Sequence, residues 1–272
     1  MDASRLFDLE SHGPDTFVGI GPRYPWGGLY GGQIVAQALR AAASTVDVDL
    51  AVHSLRSYFI RRGDHTEPIR FEVDRIRNGR SFSTRRVIAR QAIGAILNLE
   101  ASFQRPEPSI DLQTVHMPAG VPGPESLLSE PFTISADRRF VPRSWVPPVD
   151  RLGAGRTLAW MKVDESLGDD QLLHRCWLAY LSDDLPTDAT RAATQIADGG
   201  RFTASLDHTM WFHRPLRADQ WHLHDFICLN FVGGRGLAIG HVFAADGAHV
   251  ATVAQEVLMR GHTGEQTGDH VS

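Results

Sequence analysis

Between Ser205 and Pro215 the chain reads Ser205-Leu206-Asp207-His208-Thr209-Met210-Trp211-Phe212-His213-Arg214-Pro215, setting a carboxylate, imidazoles and hydroxyls inside an aromatic stretch. An Asp beside a His suits acid–base work of the hydratase kind. Adjacent residues of a strand point to opposite faces, however, so Asp207 and His208 cannot both serve one site. His222-x-His224, with His213 and His241, raises metal binding; without a carboxylate or Cys at fixed helical spacing, surface or strand-pairing histidines are the competing reading. Arg75, Arg77, Arg80, Arg85, Arg86 and Arg90 form either a solvated strand edge or an anchor for an anionic ligand. Ser54 and Ser182 lack the motif of a nucleophile elbow. Gly31 and Gly32 open a helical segment, where free N–H groups can bind an oxyanion or phosphate, or where glycine simply permits close packing.

The elements that carry these residues come in two copies. Val52-His53-Ser54-Leu55-Arg56-Ser57-Tyr58-Phe59-Ile60-Arg61-Arg62 parallels the segment from Ser205, and both close on a basic pair or an Arg-Pro corner. Each follows a long helical segment and precedes further strand-like runs, so the chain is a duplicated domain with a period far above that of a solenoid, whose repeats run about 20 to 50 residues. The polar residues fit for chemistry stand in the second copy.

In the first copy, residues 32–43 are small or apolar on nearly every face, which predicts a helix buried on more than one side. Period-two patterns then predict strands at 53–59, 69–78, 81–91 and 95–103, with Asn78-Gly79 as a hairpin turn. Nine prolines from Pro106 to Pro148 predict a linker with at most short local structure. In the second copy a strand at 157–163 precedes a helix capped by Asp169 or Asp170 and running to Leu181, with Leu172, Leu173, Cys176, Trp177, Tyr180 and Leu181 on its core stripe. Strands follow at 204–212, 222–232, 236–244 and 249–259, with Asp246-Gly247 as the matching turn. The expected fold class is α+β, each half one helix plus an antiparallel sheet of about five strands.

A length of 272 residues, 42% hydrophobic, gives room for one large or two medium cores. A net charge of -5 argues against a nucleic-acid partner. Cys176 and Cys228 lie far apart inside apolar segments, which predicts reduced thiols and a cytoplasmic protein. The acidic N-terminal segment is unlike a signal peptide, and no window reaches the roughly 20 apolar residues of a membrane span.

The segment from Leu206 to Pro215 resembles the signature of the acyl-CoA thioesterase II (TesB-type) family of double hotdog proteins. Tyr30-Gly31-Gly32-Gln33-Ile34-Val35-Ala36-Gln37-Ala38-Leu39, Val52-His53-Ser54 with Tyr58-Phe59, and Val253-Ala254-Gln255-Glu256 with Met259-Arg260 agree with it across both halves. The resemblance implies two tandem hotdog repeats, at 1–105 and 151–262, joined by a proline-rich linker at 106–150 and followed by a flexible tail at 263–272. It implies hydrolysis of fatty acyl-CoA by a water held by an Asp, a Ser or Thr, and a Gln. Those types map to Asp183 in Tyr180-Leu181-Ser182-Asp183, in preference to Asp184, and to Ser205 and Gln255; Gly31 and Gly32 are the substrate-binding candidates. In the first copy the matching positions are Val52 and Glu100. A carboxylate that accepts a proton, with two side chains orienting the water, is sufficient chemistry for an activated thioester. No cofactor and no metal are expected, the partner is the small-molecule acyl-CoA, and self-association into a homodimer or larger homo-oligomer follows from the family. A non-catalytic acyl-CoA-binding protein and an enoyl-thioester hydratase are the alternatives on the same fold.

Overall fold

The computed structural model describes residues 2–131, 133, 135–145, 155–194 and 202–260. The expected tail, and Pro147 and Pro148, lie outside the described residues. The first half contains β1 (Glu10–Ser11), β2 (Thr16–Gly19), α1 (Gly31–Ala43), β3 (Ala51–Phe59), β4 (Ile69–Asn78), β5 (Phe82–Gln91) and β6 (Gly94–Gln104). The second contains β7 (Ala136–Phe140), β8 (Arg156–Val163), α2 (Gln171–Leu181), α3 (Leu185–Thr194), β9 (Phe202–Ser205), β10 (Asp207–Phe212), β11 (His222–Val232), β12 (Arg235–Ala244) and β13 (His249–Arg260).

All strands join one antiparallel sheet in the order β1-β2-β4-β5-β6-β3-β10-β13-β12-β11-β8-β7, with β9 paired to β13. The halves meet where β3 pairs β10, with Leu55 opposite Met210. Read outward from that seam, β3-β6-β5-β4-β2 and β10-β13-β12-β11-β8 are the same plan run in opposite directions. The duplication read from the sequence is therefore a two-fold repeat of structure, as the double hotdog resemblance requires.

The two repeat helices run antiparallel against each other. Tyr30, at the start of α1, donates its hydroxyl to the Tyr180 carbonyl near the end of α2 at 2.8 Å, while Arg40 near the end of α1 reaches Asp170 at the start of α2 at 3.3 Å. Asp170 also caps α2, accepting from the N–H groups of Leu172 and Leu173, which satisfies donors a helix start leaves open. Helix α1 is buried from Gly32 to Leu39 without interruption, as an apolar all-round helix must be. A Cβ on Gly32 would stand 2.3 Å from the Tyr180 carbonyl oxygen, so only glycine lets the helices approach this closely.

Three features depart from the sequence reading. Helix α3 follows α2 after a break at Asp183 and Asp184 and packs across β8, β11 and β12. Its sequence, Leu-Pro-Thr-Asp-Ala-Thr-Arg-Ala-Ala-Thr, carries too few large apolar residues to show a stripe; it packs through small ones, with Gly236 making room for Thr190. The proline-rich stretch contributes β7 as an edge strand on β8, and upstream of it Val115, Met117, Val121 and Leu127 lie against a small second core of Val141, Leu158, Trp160, Leu223 and Phe243. Proline blocks ladder bonds within this strap, yet its carbonyls still accept, as Pro122 does from the Trp160 indole at 2.9 Å. The strand expected at 204–212 is broken into β9 and β10 by a bulge: between the Ser205–Val257 and Thr209–Ala254 pairs, three residues face two on β13.

The same irregularity occurs in the first copy, where the β3–β6 register slips between Val52 and Ser54. Superposing the two bulges sets Val52 against Ser205, Leu55 against His208, and Ala101 against Gln255. Glu100 is thus corrected as the counterpart of Gln255, because it points outward and is exposed whereas Ala101 is buried. Beside Ala101 stands Arg85, its side chain buried; it donates to the hydroxyl and carbonyl of Thr45, the carbonyls of Arg77 and Thr84, and the Asn78 side chain. Replacement by alanine leaves those acceptors buried without donors. Arg85→Ala is expected to lower the unfolding free energy by about 1–3 kcal/mol in urea denaturation followed by tryptophan fluorescence; an unchanged midpoint would show that this guanidinium holds nothing together.

Candidate active site

The break between α2 and α3 turns the Asp183 carboxylate into the interior, toward the N-terminus of α1. There Oδ1 accepts from the Ser205 hydroxyl at 2.9 Å and from Gln255 Nε2 at 2.9 Å, and the backbone N–H of Gly32 also donates to the carboxylate. Gln255 Nε2 gives its second hydrogen to Ser205 Oγ at 2.8 Å, closing a ring of three side chains. Burial pushes the Asp183 carboxyl above the ordinary carboxylate range, while the three donors pull it back. The positive end of the α1 dipole acts in the same direction as those donors. The result is a desolvated carboxylate held in place and more basic than one in water, which suits proton abstraction.

The bulge is what brings these residues to one face. In a regular strand Ser205, three residues before His208, would have opposite parity to His208, Met210 and Phe212 and would point away from the helices. Asp207 serves the bulge itself: its carboxylate accepts the N–H of Glu256 at 2.7 Å, and the N–H of Leu206 bonds the Glu256 carbonyl at 2.9 Å. His208 points inward and is buried, its Nδ1 on Gln255 Oε1 and its Nε2 on Ser182 Oγ at 2.9 Å. The pair that looked like a single acid–base unit in sequence is thus divided between a backbone support and an interior hydrogen-bond chain.

Asp183 and Ser205 open onto a cavity of about 370 Å³ whose walls include Trp26, Tyr30, Gly31 and Thr187. That volume lies within the range of small-molecule sites. Gly31 borders the cavity, and a Cβ there would stand 2.6 Å from Asp183 Oδ2. Gly32, its N–H committed to Asp183, supports the carboxylate. Asp184, on the wall of the same cavity, accepts from Arg138 at 2.6 Å, and burial pushes its carboxyl up to about 7 despite that guanidinium. Arg138 and Trp26 escaped the sequence reading; Arg138 lay in the stretch read as linker, and Trp26 had no motif of its own.

Family profiles agree with this geometry. The acyl-CoA thioesterase N-terminal domain matches residues 21–104 and the acyl-CoA thioesterase C-terminal domain matches residues 110–259. Human acyl-coenzyme A thioesterase 8 is 35% identical, over 94% of this chain and 88% of its own. The chain belongs to the acyl-CoA thioesterase II (TesB-type) family. Among solved structures, the acyl-CoA thioesterase II TesB2 of Mycobacterium marinum superposes with a TM-score of 0.88 at 37% identity, covering 98% of this chain and 100% of that one. A hot dog fold protein of Alicyclobacillus acidocaldarius, at 22% identity and a TM-score of 0.78 over 96% and 99% of the two chains, shares the fold.

Other candidates stay outside this candidate site. Arg75, Arg86 and Arg90 pair with Asp15, Asp74 and Glu72, and Arg85 is consumed by the first repeat, so these residues work as ion pairs and internal donors within the sheet. His241 pairs across the sheet with Asp225, which puts it on the face opposite His222 and His224, so the four histidines do not converge. Both cysteines are buried free thiols. Within the site, a side chain added at Gly31 would meet Asp183 Oδ2 at 2.6 Å. Gly31→Ala displaces that oxygen and is expected to lower kcat by about 10²-fold, the cost of a misplacement near 1 Å. The check is acyl-CoA turnover followed by thiol release, with circular dichroism confirming the fold; an unimpaired variant would mean that the carboxylate has room to move.

Proposed function

We propose that Asp183, Ser205 and Gln255 activate a water for direct attack on the thioester of a fatty acyl-CoA. The observation that carries this reading is the closed ring of hydrogen bonds around one buried carboxylate at the wall of the cavity. The substrate carbonyl enters beside Gly31, whose N–H at the positive end of α1 is placed to stabilise the oxyanion. Asp183 Oδ2 takes a proton from the water as its oxygen bonds to the carbonyl carbon. Ser205, fixed by its bonds to Asp183 and Gln255, orients that water. As the tetrahedral intermediate collapses, the C–S bond breaks and the sulfur receives the proton from Asp183, releasing fatty acid and CoA. No covalent acyl-enzyme is required.

A non-catalytic acyl-CoA-binding role has no use for a carboxylate buried at the energetic cost of desolvation. The hydratase reading needs Asp207 or His208 at the substrate, whereas Asp207 is bonded to the Glu256 N–H and His208 lies behind Gln255. Both facts favour hydrolysis. Two buried free thiols suit a reducing compartment, which supports action on acyl-CoA in the cytoplasm, within lipid metabolism. Tyr58 and Leu237 expose apolar side chains on the sheet face away from the helices, which supports self-association through that face.

Asp183→Asn keeps the shape of the site and removes the base. Its kcat is expected to fall by about 10²-fold or more with the melting temperature preserved or raised; wild-type turnover in this variant would sink the mechanism. The pH dependence has a fixed sign. Because burial raises the Asp183 carboxyl, its base form is lost as pH falls through a value above the usual carboxylate range, so kcat declines on the acid side with its midpoint there. A kcat profile in which that limb persists in Asp184→Asn assigns it to Asp183; disappearance of the limb in that variant assigns it to Asp184 instead.

A further inference from the structure

Behind the reacting groups runs a second chain of hydrogen bonds that does not touch the cavity: Ser182 Oγ, His208 and Gln255 Oε1. Its directions follow from chemistry. An ionised carboxylate only accepts, so the amide nitrogen of Gln255 must face Asp183, and Oε1 must face His208. A carbonyl oxygen also only accepts, so His208 Nδ1 must carry the hydrogen. Burial holds the ring neutral, leaving Nε2 bare to accept from the Ser182 hydroxyl.

We propose that His208 is a positioning residue for catalysis, locking the Gln255 side-chain amide with its N–H groups toward Asp183 and Ser205. An amide held only from the cavity side can rotate about its last torsion and present its oxygen to Ser205, whose hydroxyl then turns from Asp183 to that oxygen. The Nδ1–H of His208 removes this alternative by binding Oε1 from behind. Ser182, in the turn that ends α2 one residue before Asp183, meets the other ring nitrogen, so the base and the amide are registered through one connected chain. The backbone at His208 is itself fixed from the other half, where Ser57 donates to the His208 carbonyl at 3.0 Å.

The first repeat supplies an internal comparison. At its superposed positions stand Val52, Leu55 and Ala101, all buried and apolar, in place of Ser205, His208 and Gln255. Leu55 shows that the fold accepts an aliphatic side chain at this point of the bulged strand pair. The imidazole occurs in the copy that also has the serine and the amide, which is the distribution expected of a part of the same device.

The test compares two replacements. His208→Leu copies the first repeat and removes the donor; His208→Asn returns an N–H close to the position of Nδ1. His208→Leu is expected to lose roughly 10- to 100-fold in kcat with KM within about twofold, and His208→Asn to recover most of that loss. Wild-type kcat in His208→Leu, or an Asn variant no better than the Leu variant at equal melting temperature, overturns the proposal. The proposal rests on the catalytic reading of Gln255, so Gln255→Ala is assayed alongside. Full activity there sinks that reading, whereas an impaired Gln255→Ala with a fully active His208→Leu sinks this inference alone. Should neither variant fold, the ¹⁵N shifts of His208 in the intact protein decide: a neutral ring protonated on Nδ1 is required, and an Nε2–H tautomer or an imidazolium is incompatible with the proposal.

Discussion

Everything at the site depends on keeping one carboxylate ionised in the interior. An isolated charge there would protonate or disrupt the fold, so Asp183 needs donors from several directions. The break between α2 and α3 brings the carboxylate in, the first turn of α1 supplies the Gly32 N–H and the helix dipole, and the β9–β10 and β13 strands supply Ser205 and Gln255. These elements come from both repeats. A single repeat has the strands and the helix end but lacks the opposing helix N-terminus, which explains why a duplicated chain makes one complete site across its own interface.

The two copies also show that one architecture holds different side-chain fillings. Both copies retain the bulge that turns an extra residue inward, so backbone geometry is common to them. What differs is the filling. The second copy places Ala238 beside Gln255, while the first places Arg85 beside Ala101 and spends its guanidinium on Thr45 and nearby carbonyls. Thr45 directly follows Ser44, the C-cap of α1, as Asp183 directly follows Ser182, the C-cap of α2. Where the second copy has carboxylate, hydroxyl and amide, the first has a packed internal contact.

Much of this was legible from residues. Strand alternation and the Asn78-Gly79 and Asp246-Gly247 turns located most of the sheet, because local propensity and tertiary burial agree in those runs. Asp183, Ser205 and Gln255 were legible through the family resemblance, which carries side-chain convergence that periodicity cannot. The bulge was not legible: one extra residue leaves no signal in composition, yet it reverses side-chain parity and so decides that Ser205 faces inward and that Ala101, rather than Glu100, matches Gln255. Helix α3 escaped because its packing uses alanines and threonines against a glycine of β12. Arg85 read as part of a charged run because a buried arginine and a solvated one have the same letter.

The parity reversal at the bulge also accounts for the arrangement of Asp207 and His208. A bulge leaves a strand N–H without its ladder acceptor, and here the Glu256 N–H is taken by the Asp207 side chain. The next residue is then compelled to point inward, directly behind the amide of Gln255, where any apolar side chain would leave Oε1 buried and unbonded. An acid and an imidazole side by side are thus the two consequences of one backbone irregularity: the acid closes the ladder outside, and the imidazole closes the hydrogen-bond ring inside. Their adjacency in sequence reflects the geometry that holds the ring of hydrogen bonds, with Asp183 and Ser205 lying one helix end and one bulge away.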